Sequence, residues 1–269
     1  MPVSPLSPAF AATFTPALAL TAAVLAADGA HFPPGLTARL TPSICAQWVK
    51  EPQPVWEGFY LAADPCVVKV GPVYRMYFTG FLQEPDRAVI GMADSPDGVT
   101  DWQWTLPTDF ENPVALALDG RPGQWDENLE TVHVMHVGDE LWMFYTGYVV
   151  DPDAFVSPYE IGLAKSTDDG LTWTRASDDP ILPLDPDGYD NGAMTSPAVV
   201  EHEGVLHMIY LSWTFDDQGN LINFRISGAT SDDPEGLEWT RYRRPVLQPP
   251  LKDLPWLSTA TEPTLMKLN

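Results

Sequence analysis

A repeat of about 66 residues is the feature that most restricts the fold of this 269-residue chain. Three short apolar and aromatic segments carry it, and their methionines, Met76, Met143 and Met208, stand 67 and 65 residues apart. Each segment is typical of a strand buried between two sheets. Repetition at a fixed period indicates one supersecondary unit used several times. The segments are MYFTGF (76–81), MFYTGY (143–148) and MIYLSW (208–213).

A second set of segments follows the aromatic ones and is typical of a strand that runs into a tight turn. Each segment has an apolar start, then Ser, Asp and Gly, and is followed by a tryptophan, Trp102, Trp173 or Trp239. Ser and Asp side chains bond the local backbone in turns, and Gly supplies positive φ. We predict hairpins here, with the tryptophans packed between neighbouring units. The segments are IGMADSPDG (90–98), IGLAKSTDDG (161–170) and ISGATSDDPEG (226–236).

A third set precedes the aromatic segments and occurs four times. Its leading residues are Asp64, Glu130, Ser196 and Glu262, each 66 residues after the last. Each unit then has four strands in the order inner, aromatic, turn-bearing and tryptophan-bearing, which is the make-up of a β-propeller blade. A β-sandwich is the rival, but its turn spacing would not reproduce side-chain identity at this period. The segment EPTLMKL (262–268) predicts an inner strand that opens a fourth copy.

The composition agrees with an all-β chain and argues against a nucleic-acid partner. Its 28 prolines and 19 glycines favour many short elements. A net charge of −23, with 14 Lys and Arg, leaves few cations for a phosphate backbone. No segment is apolar enough for a membrane helix, and we predict no protein partner. We interpret residues 1–38 as a flexible Ala/Pro-rich leader or a signal-like segment without a basic start, which leaves secretion open. Residues 39–269 form the predicted partial propeller domain.

The order of these segments resembles the five-bladed propeller glycoside hydrolases of families 43, 32, 62, 68 and 130. The Asp-Pro step at Asp64, the MYFTG type of second strand and the IGxAxS turn carry the resemblance. It implies a catalytic domain with an Asp opening blades one and three and a Glu opening blade four. Asp64 and Glu262 match, whereas Ser196 stands at the middle position. A five-bladed ring takes on the order of 330 residues at this period, so we expect a fragment, three blades plus the first strand of a fourth.

Residues that open the inner strands of a propeller converge at one end of its channel. Glycoside hydrolysis needs one protonated carboxyl to assist the leaving oxygen and one ionised carboxyl as base or nucleophile. We assign Glu262 as the general acid and Asp64 as the base or nucleophile. Glu130 or Asp190 is the candidate third carboxylate in the pocket where Ser196 lacks one. The alternative is that carboxylates at such positions only bond backbone amides.

Aromatic side chains usually form the platform under the apolar face of a sugar ring. We predict Trp213 and Trp125, with Tyr148 and Trp256, as substrate-binding residues. The resemblance implies a glycosidase acting on an oligo- or polysaccharide of arabinose, xylose or fructose type. A non-catalytic carbohydrate-binding propeller and a glycan phosphorylase of the same fold stay as alternatives. We predict no cofactor and no metal, while acidic loops leave a structural calcium ion open.

Overall fold

Thirteen β-strands and no helix form the described part of this computed structural model. It comprises residues 53–56, 61–83, 86–108, 115–150, 158–216, 218, 221–249 and 259–266. These residues belong to one compact unit, residues 51–269. Within them, no helix has the length and apolar character that crossing a membrane takes. The predicted leader, residues 1–38, lies outside the described residues.

The strands form three antiparallel sheets, and in each sheet strands that are adjacent in sequence pair with each other. In chain order the strands are β1 (Ala62–Val70), β2 (Val73–Gln83), β3 (Asp86–Ser95), β4 (Gln103–Trp104), β5 (Leu116–Leu118), β6 (Asn128–Val137), β7 (Glu140–Tyr148), β8 (Tyr159–Ser166), β9 (Thr174–Arg175), β10 (Ala193–His202), β11 (Val205–Phe215), β12 (Leu221–Ser231) and β13 (Thr240–Arg241). Sheet one holds β1 to β5, sheet two β6 to β9, and sheet three β10 to β13. The prediction of an all-β chain is confirmed, and the four-stranded unit recurs three times. The short strand β5 is an addition that pairs with β3.

The turn after the third strand of each sheet is held by its own side chains. In sheet one the carboxylate of Asp97 accepts the amide of Thr100 at 2.7 Å, and Gly98 has a φ of 78°. In sheet two Asp168 accepts the amide of Thr172 at 2.9 Å. Each carboxylate replaces backbone partners that the tight turn leaves open. The Ser, Asp and Gly of the repeat therefore act as turn residues.

Two apolar cores join the sheets face to face. The core between sheets one and two contains Tyr77 and Met143, both completely buried, and Trp173 meets Tyr77 at 5.5 Å between ring centroids. In the core between sheets two and three, Trp239 meets Phe144 at 6.0 Å. Burial of such rings is the main source of cohesion between sheets. These two tryptophans pack between units as the repeat predicts.

Trp102, the first tryptophan of the same set, packs differently. It lies against Met76 and Phe78 of its own sheet, with Trp56 beside them. The prediction that it packs between neighbouring units is not met among the described residues, because there sheet one packs only on sheet two.

Each inner strand begins with a β-bulge whose residue has a positive φ. The register of β1, β6 and β10 shifts at this point, where Asp64, Thr131 and Ser196 have φ of 52°, 48° and 55°. Glu262 shares the conformation, with φ of 50°. The equivalent residue of the second copy is thus Thr131, and the predicted alignment of Glu130 with this position is wrong by one residue. A bulge sets two residues opposite one, and residue counting does not show which of them takes the positive φ.

Residues 259–266 do not form the inner strand that the repeat predicts for a fourth copy. They take part in no strand pairing within the described part of the chain, and Met266 is 75% exposed. In each of the three sheets the inner strand is held by the aromatic strand that follows it in sequence. Glu262 is followed by no such strand among the described residues, and only its φ repeats the opening of the other copies.

Candidate functional site

Two inner strands and residues 259–266 supply three carboxyl groups that are far apart in sequence. Asp64 is the bulge residue of β1, and Glu130 lies directly before the bulge of β6. The negative charges of Asp64 and Glu262 both act on the carboxyl of Glu130, so the three groups share one electrostatic environment. Asp64 and Glu130 are half-buried, whereas Glu262 is exposed. We call these three residues the carboxyl pocket; their chemical roles stay predictions.

Buried threonines connect two members of the carboxyl pocket. The hydroxyl of Thr79 donates to Asp64 Oδ2 at 3.0 Å and accepts the amide of Thr131 at 2.9 Å. The hydroxyls of Thr131 and Thr195 lie 3.0 Å apart. Thr195 in turn donates to Glu130 Oε1 at 3.5 Å. Since all three threonines are buried, the network holds Asp64 and Glu130 in fixed positions relative to each other.

Glu130 changes its protonation close to neutral pH. Burial raises the pKa of Glu130 to about 7, and the charges of Asp64 and then Glu262 act in the same direction. The hydrogen bond from Thr195 has the opposite and smallest effect. Among the described residues, no Arg, Lys or His forms an ion pair with Glu130. A carboxyl in such an environment can both hold and release a proton at physiological pH.

The other two residues predicted as pocket members have different surroundings. Ser196 donates its amide to the hydroxyl of Thr131 at 3.1 Å, and its own buried hydroxyl has no hydrogen-bond partner among the described residues. Asp190 is completely buried and accepts hydrogen bonds from Tyr210 at 2.7 Å and Arg241 at 2.9 Å. The Asp190 carboxylate therefore ties the loop before β10 to strands β11 and β13.

Asp126 is the counterpart of Asp190 in sheet two, and sequence reasoning missed this pair of anchors. Asp126 is completely buried and accepts Arg121 Nε at 2.7 Å and Arg175 Nε at 2.5 Å. The hydroxyl of Tyr145 donates to it at 3.2 Å. The sequence signal for this pair is an aromatic residue followed by Asp, shortly before β6 in the segment QWDEN and shortly before β10 in the segment GYDNG.

A row of four aromatic side chains begins beside the carboxyl pocket and crosses sheets two and three. Tyr148 stacks on Tyr159 with ring centroids 4.5 Å apart, and Tyr159 meets Trp213 at 5.7 Å. Trp213 stacks on Phe224 at 5.6 Å. Burial raises the pKa of Tyr159 to about 12 with a contribution from the charge of Glu130, which relates this aromatic row to the pocket. The buried Nε1 of Trp213 has no hydrogen-bond partner among the described residues.

The two remaining predicted sugar contacts lie elsewhere. Trp125 stacks on Tyr145 with ring centroids 5.9 Å apart, and its Nε1 donates to the carbonyl of Asp178 at 2.8 Å. This ring is thus engaged in packing beside the Asp126 anchor. Trp256 lies outside the described residues.

The site offers carboxyl, hydroxyl and aromatic groups. Among the residues that the structure describes, no group of three or more His, Cys, Asp or Glu side chains is arranged to hold a metal ion. A carboxyl of the pocket can donate a proton to a bound molecule or accept one from it. The aromatic row can bind a ligand that presents a flat apolar face.

Comparison with known sequences gives a distant relative. No protein-family model matches the chain. An uncharacterized protein of Mycobacterium tuberculosis (strain CDC 1551 / Oshkosh) is 31% identical over 189 residues, which make up 65% of this chain and 55% of that protein. The chain therefore spans little more than half the length of this curated relative.

Comparison with solved structures concerns the fold. A family 117 glycoside hydrolase of the marine bacterium Zobellia galactanivorans has a TM-score of 0.55 at 17% identity, covering 70% of this chain and 57% of that chain. A family 32 β-fructofuranosidase of Bombyx mori has a TM-score of 0.50 at 18% identity, covering 67% of this chain and 34% of that chain. At these identities a likeness carries the fold and not the activity. The described part of the chain therefore has the β-propeller fold of these glycoside hydrolases.

Proposed function

We propose that this chain carries the active site of a glycosidase that cleaves O-glycosyl bonds in an oligo- or polysaccharide. The observation that supports the proposal is the carboxyl pocket beside the aromatic row. Glycoside hydrolysis uses an acid and a base on either side of the bond, and aromatic faces bind the C–H face of sugars. The shared fold with glycoside hydrolases agrees with this activity.

In this proposal Asp64 is the base or nucleophile. Its carboxylate is half-buried and oriented by the hydrogen bond from Thr79, which a group that must approach a sugar carbon from one side requires. Glu262 is the acid predicted from the sequence, and its side chain is exposed. The separation of the acting carboxyls in the substrate complex would decide between retention and inversion.

The proposed substrates are glycans of arabinose, xylose or fructose type. The resemblance of the repeat segments supports this class, as does the fold shared with a β-fructofuranosidase. Tyr148 and Trp213 are the proposed sugar platform, because both belong to the aromatic row next to Glu130. The platform is restricted to the aromatic row, because Trp125 packs on Tyr145 and Trp256 lies outside the described residues.

The test is turnover of nitrophenyl arabinosides and xylosides and of fructans by the full chain. Asp64→Asn is expected to lower kcat by about 10²- to 10⁴-fold, and Glu262→Gln tests the acid role that the sequence predicts for Glu262. Glu203→Gln is the matched control, because Glu203 is exposed in the turn after β10, at the other end of that strand. It should keep the activity of the parent chain.

Three other results would contradict the proposal. Turnover that survives both substitutions would remove Asp64 and Glu262 from the mechanism. Saturable sugar binding without turnover would favour the non-catalytic carbohydrate-binding propeller. Cleavage that depends on inorganic phosphate would favour the glycan phosphorylase.

A further inference from the structure

We propose that Glu130 is the proton donor of the carboxyl pocket in place of Glu262, an inference that rests on the glycosidase proposal above. The sequence prediction gave the acid role to Glu262 because of its position in the repeat. The surroundings of the two side chains favour the opposite assignment.

Glu130 differs from Glu262 in its position in the fold and in its exposure to water. Glu130 precedes the bulge of β6, so it is not equivalent to the bulge residues of the other inner strands. Its carboxyl reaches across to the next sheet, where Thr195 of β10 donates to Oε1 at 3.5 Å. The side chain is half-buried, whereas that of Glu262 is exposed. Partial burial favours the protonated form of a carboxyl.

The charge around Glu130 favours its protonated form. Asp64 from β1 and Glu262 from residues 259–266 are the carboxylates that act on it. Tyr159 from β8 is a further titratable neighbour, and its pKa of about 12 keeps it neutral at physiological pH. Burial raises the pKa of Glu130 to about 7, and the two negative neighbours also favour its protonated form. The proton therefore resides on Glu130 for a substantial fraction of the time at neutral pH.

The reaction balances with Glu130 as the proton donor and Asp64 as the base. As the bond between the anomeric carbon and the leaving oxygen breaks, its electron pair goes to that oxygen, which takes the proton of Glu130 and leaves as an alcohol. Water adds to the anomeric carbon and gives its proton to Asp64. Glu130 ends ionised and Asp64 protonated, and exchange with solvent restores both. If Asp64 bonds to the anomeric carbon instead, Glu130 has the same part in the first step.

The test compares leaving groups. A proton donor matters for aryl glycosides of weakly acidic phenols and hardly at all for dinitrophenyl glycosides, whose leaving group departs as an anion. Glu130→Gln is expected to lower kcat/KM by about 10²- to 10⁴-fold for phenyl glycosides, to stay within about tenfold for dinitrophenyl glycosides, and to lose the alkaline limb of the pH profile. Glu160→Gln is the matched control, since Glu160 is a half-buried residue of sheet two that accepts the amide of Leu184 at 3.1 Å.

Two results would overturn the assignment. One is an equal loss for both leaving groups in Glu130→Gln, which a merely structural role would give. The other is the leaving-group dependence appearing in Glu262→Gln instead.

A direct titration separates this inference from the glycosidase proposal. The carboxyl carbon of Glu130, followed by NMR in the ¹³C-labelled full chain, is expected to titrate with a midpoint near 7, and the midpoint should fall in Asp64→Asn. A midpoint below about 5.5 overturns the proton-donor role even where glycosides are cleaved. A midpoint near 7 in a chain that cleaves no glycoside overturns the glycosidase proposal and supports Glu130 as the proton-holding group of the pocket.

Discussion

Replacement of Glu130 by glutamine is expected to stabilise the protein at pH 8 and to leave its stability unchanged at pH 4.5. The pKa of Glu130 rises from an ordinary value of 4.5 to about 7, and one pKa unit corresponds to about 1.4 kcal/mol. Ionised Glu130 therefore costs the folded state roughly 3 kcal/mol. Because the folded state binds this proton more tightly than the unfolded chain, the cost is absent below about pH 4.5, grows as the pH rises, and is complete above about pH 7.

Urea unfolding followed by tryptophan fluorescence measures this difference. With a denaturant slope of about 2 kcal/mol per molar urea, the midpoint of Glu130→Gln should lie about 1 to 2 M above that of the parent chain at pH 8. Glu160→Gln should show no such dependence on pH. A Glu130→Gln midpoint that equals the parent value at pH 8, or that differs equally at both pH values, would refute the reasoning.

Two further substitutions test the packing that supports the site. Asp126→Asn leaves two arginines without their buried carboxylate and is expected to lower the free energy of unfolding by about 3 to 5 kcal/mol in urea titrations. Asp178→Asn, at a side chain that is 96% exposed, should have little effect, and equal losses would contradict the argument. Gly170→Ala is expected to lower Tm in a thermal scan, because φ is 79° and the new Cβ would meet the Tyr77 hydroxyl at 2.0 Å; an unchanged Tm would show that this turn relaxes.

The fold could be predicted from the sequence because its strands repeat side chains at a nearly constant spacing. The aromatic segment around Met143 and the turn around Asp168 identify their strands directly, since burial and local hydrogen bonding each demand particular residue types. No strand forms at residues 262–266, where the repeat predicts one, because pairing is a property of two segments, and residue types in one segment do not supply the other.

The site was less accessible to sequence reasoning. The alignment at a strict 66-residue spacing placed Glu130 at the leading position of the second inner strand, but the copies are separated by 67, 65 and 66 residues when the positive φ values are used as reference. An error of one residue along a strand changes what the side chain faces. The threonine network and the buried carboxylates of Asp126 and Asp190 depend on contacts between strands, which residue counting cannot show.

The bulge at the start of each inner strand has a consequence for how this molecule can change. Asp64, Thr131, Ser196 and Glu262 occupy the same backbone conformation, although a non-glycine residue there costs about 1 to 2 kcal/mol. The same backbone conformation thus accommodates Asp, Glu, Ser or Thr. The three inner strands and residues 259–266 hold this conformation with four different side chains, so the number and placement of acidic groups can change one residue at a time while the backbone conformation stays the same. Glycine at any of these four positions would relieve the backbone strain, but it would remove the carboxyl or hydroxyl group.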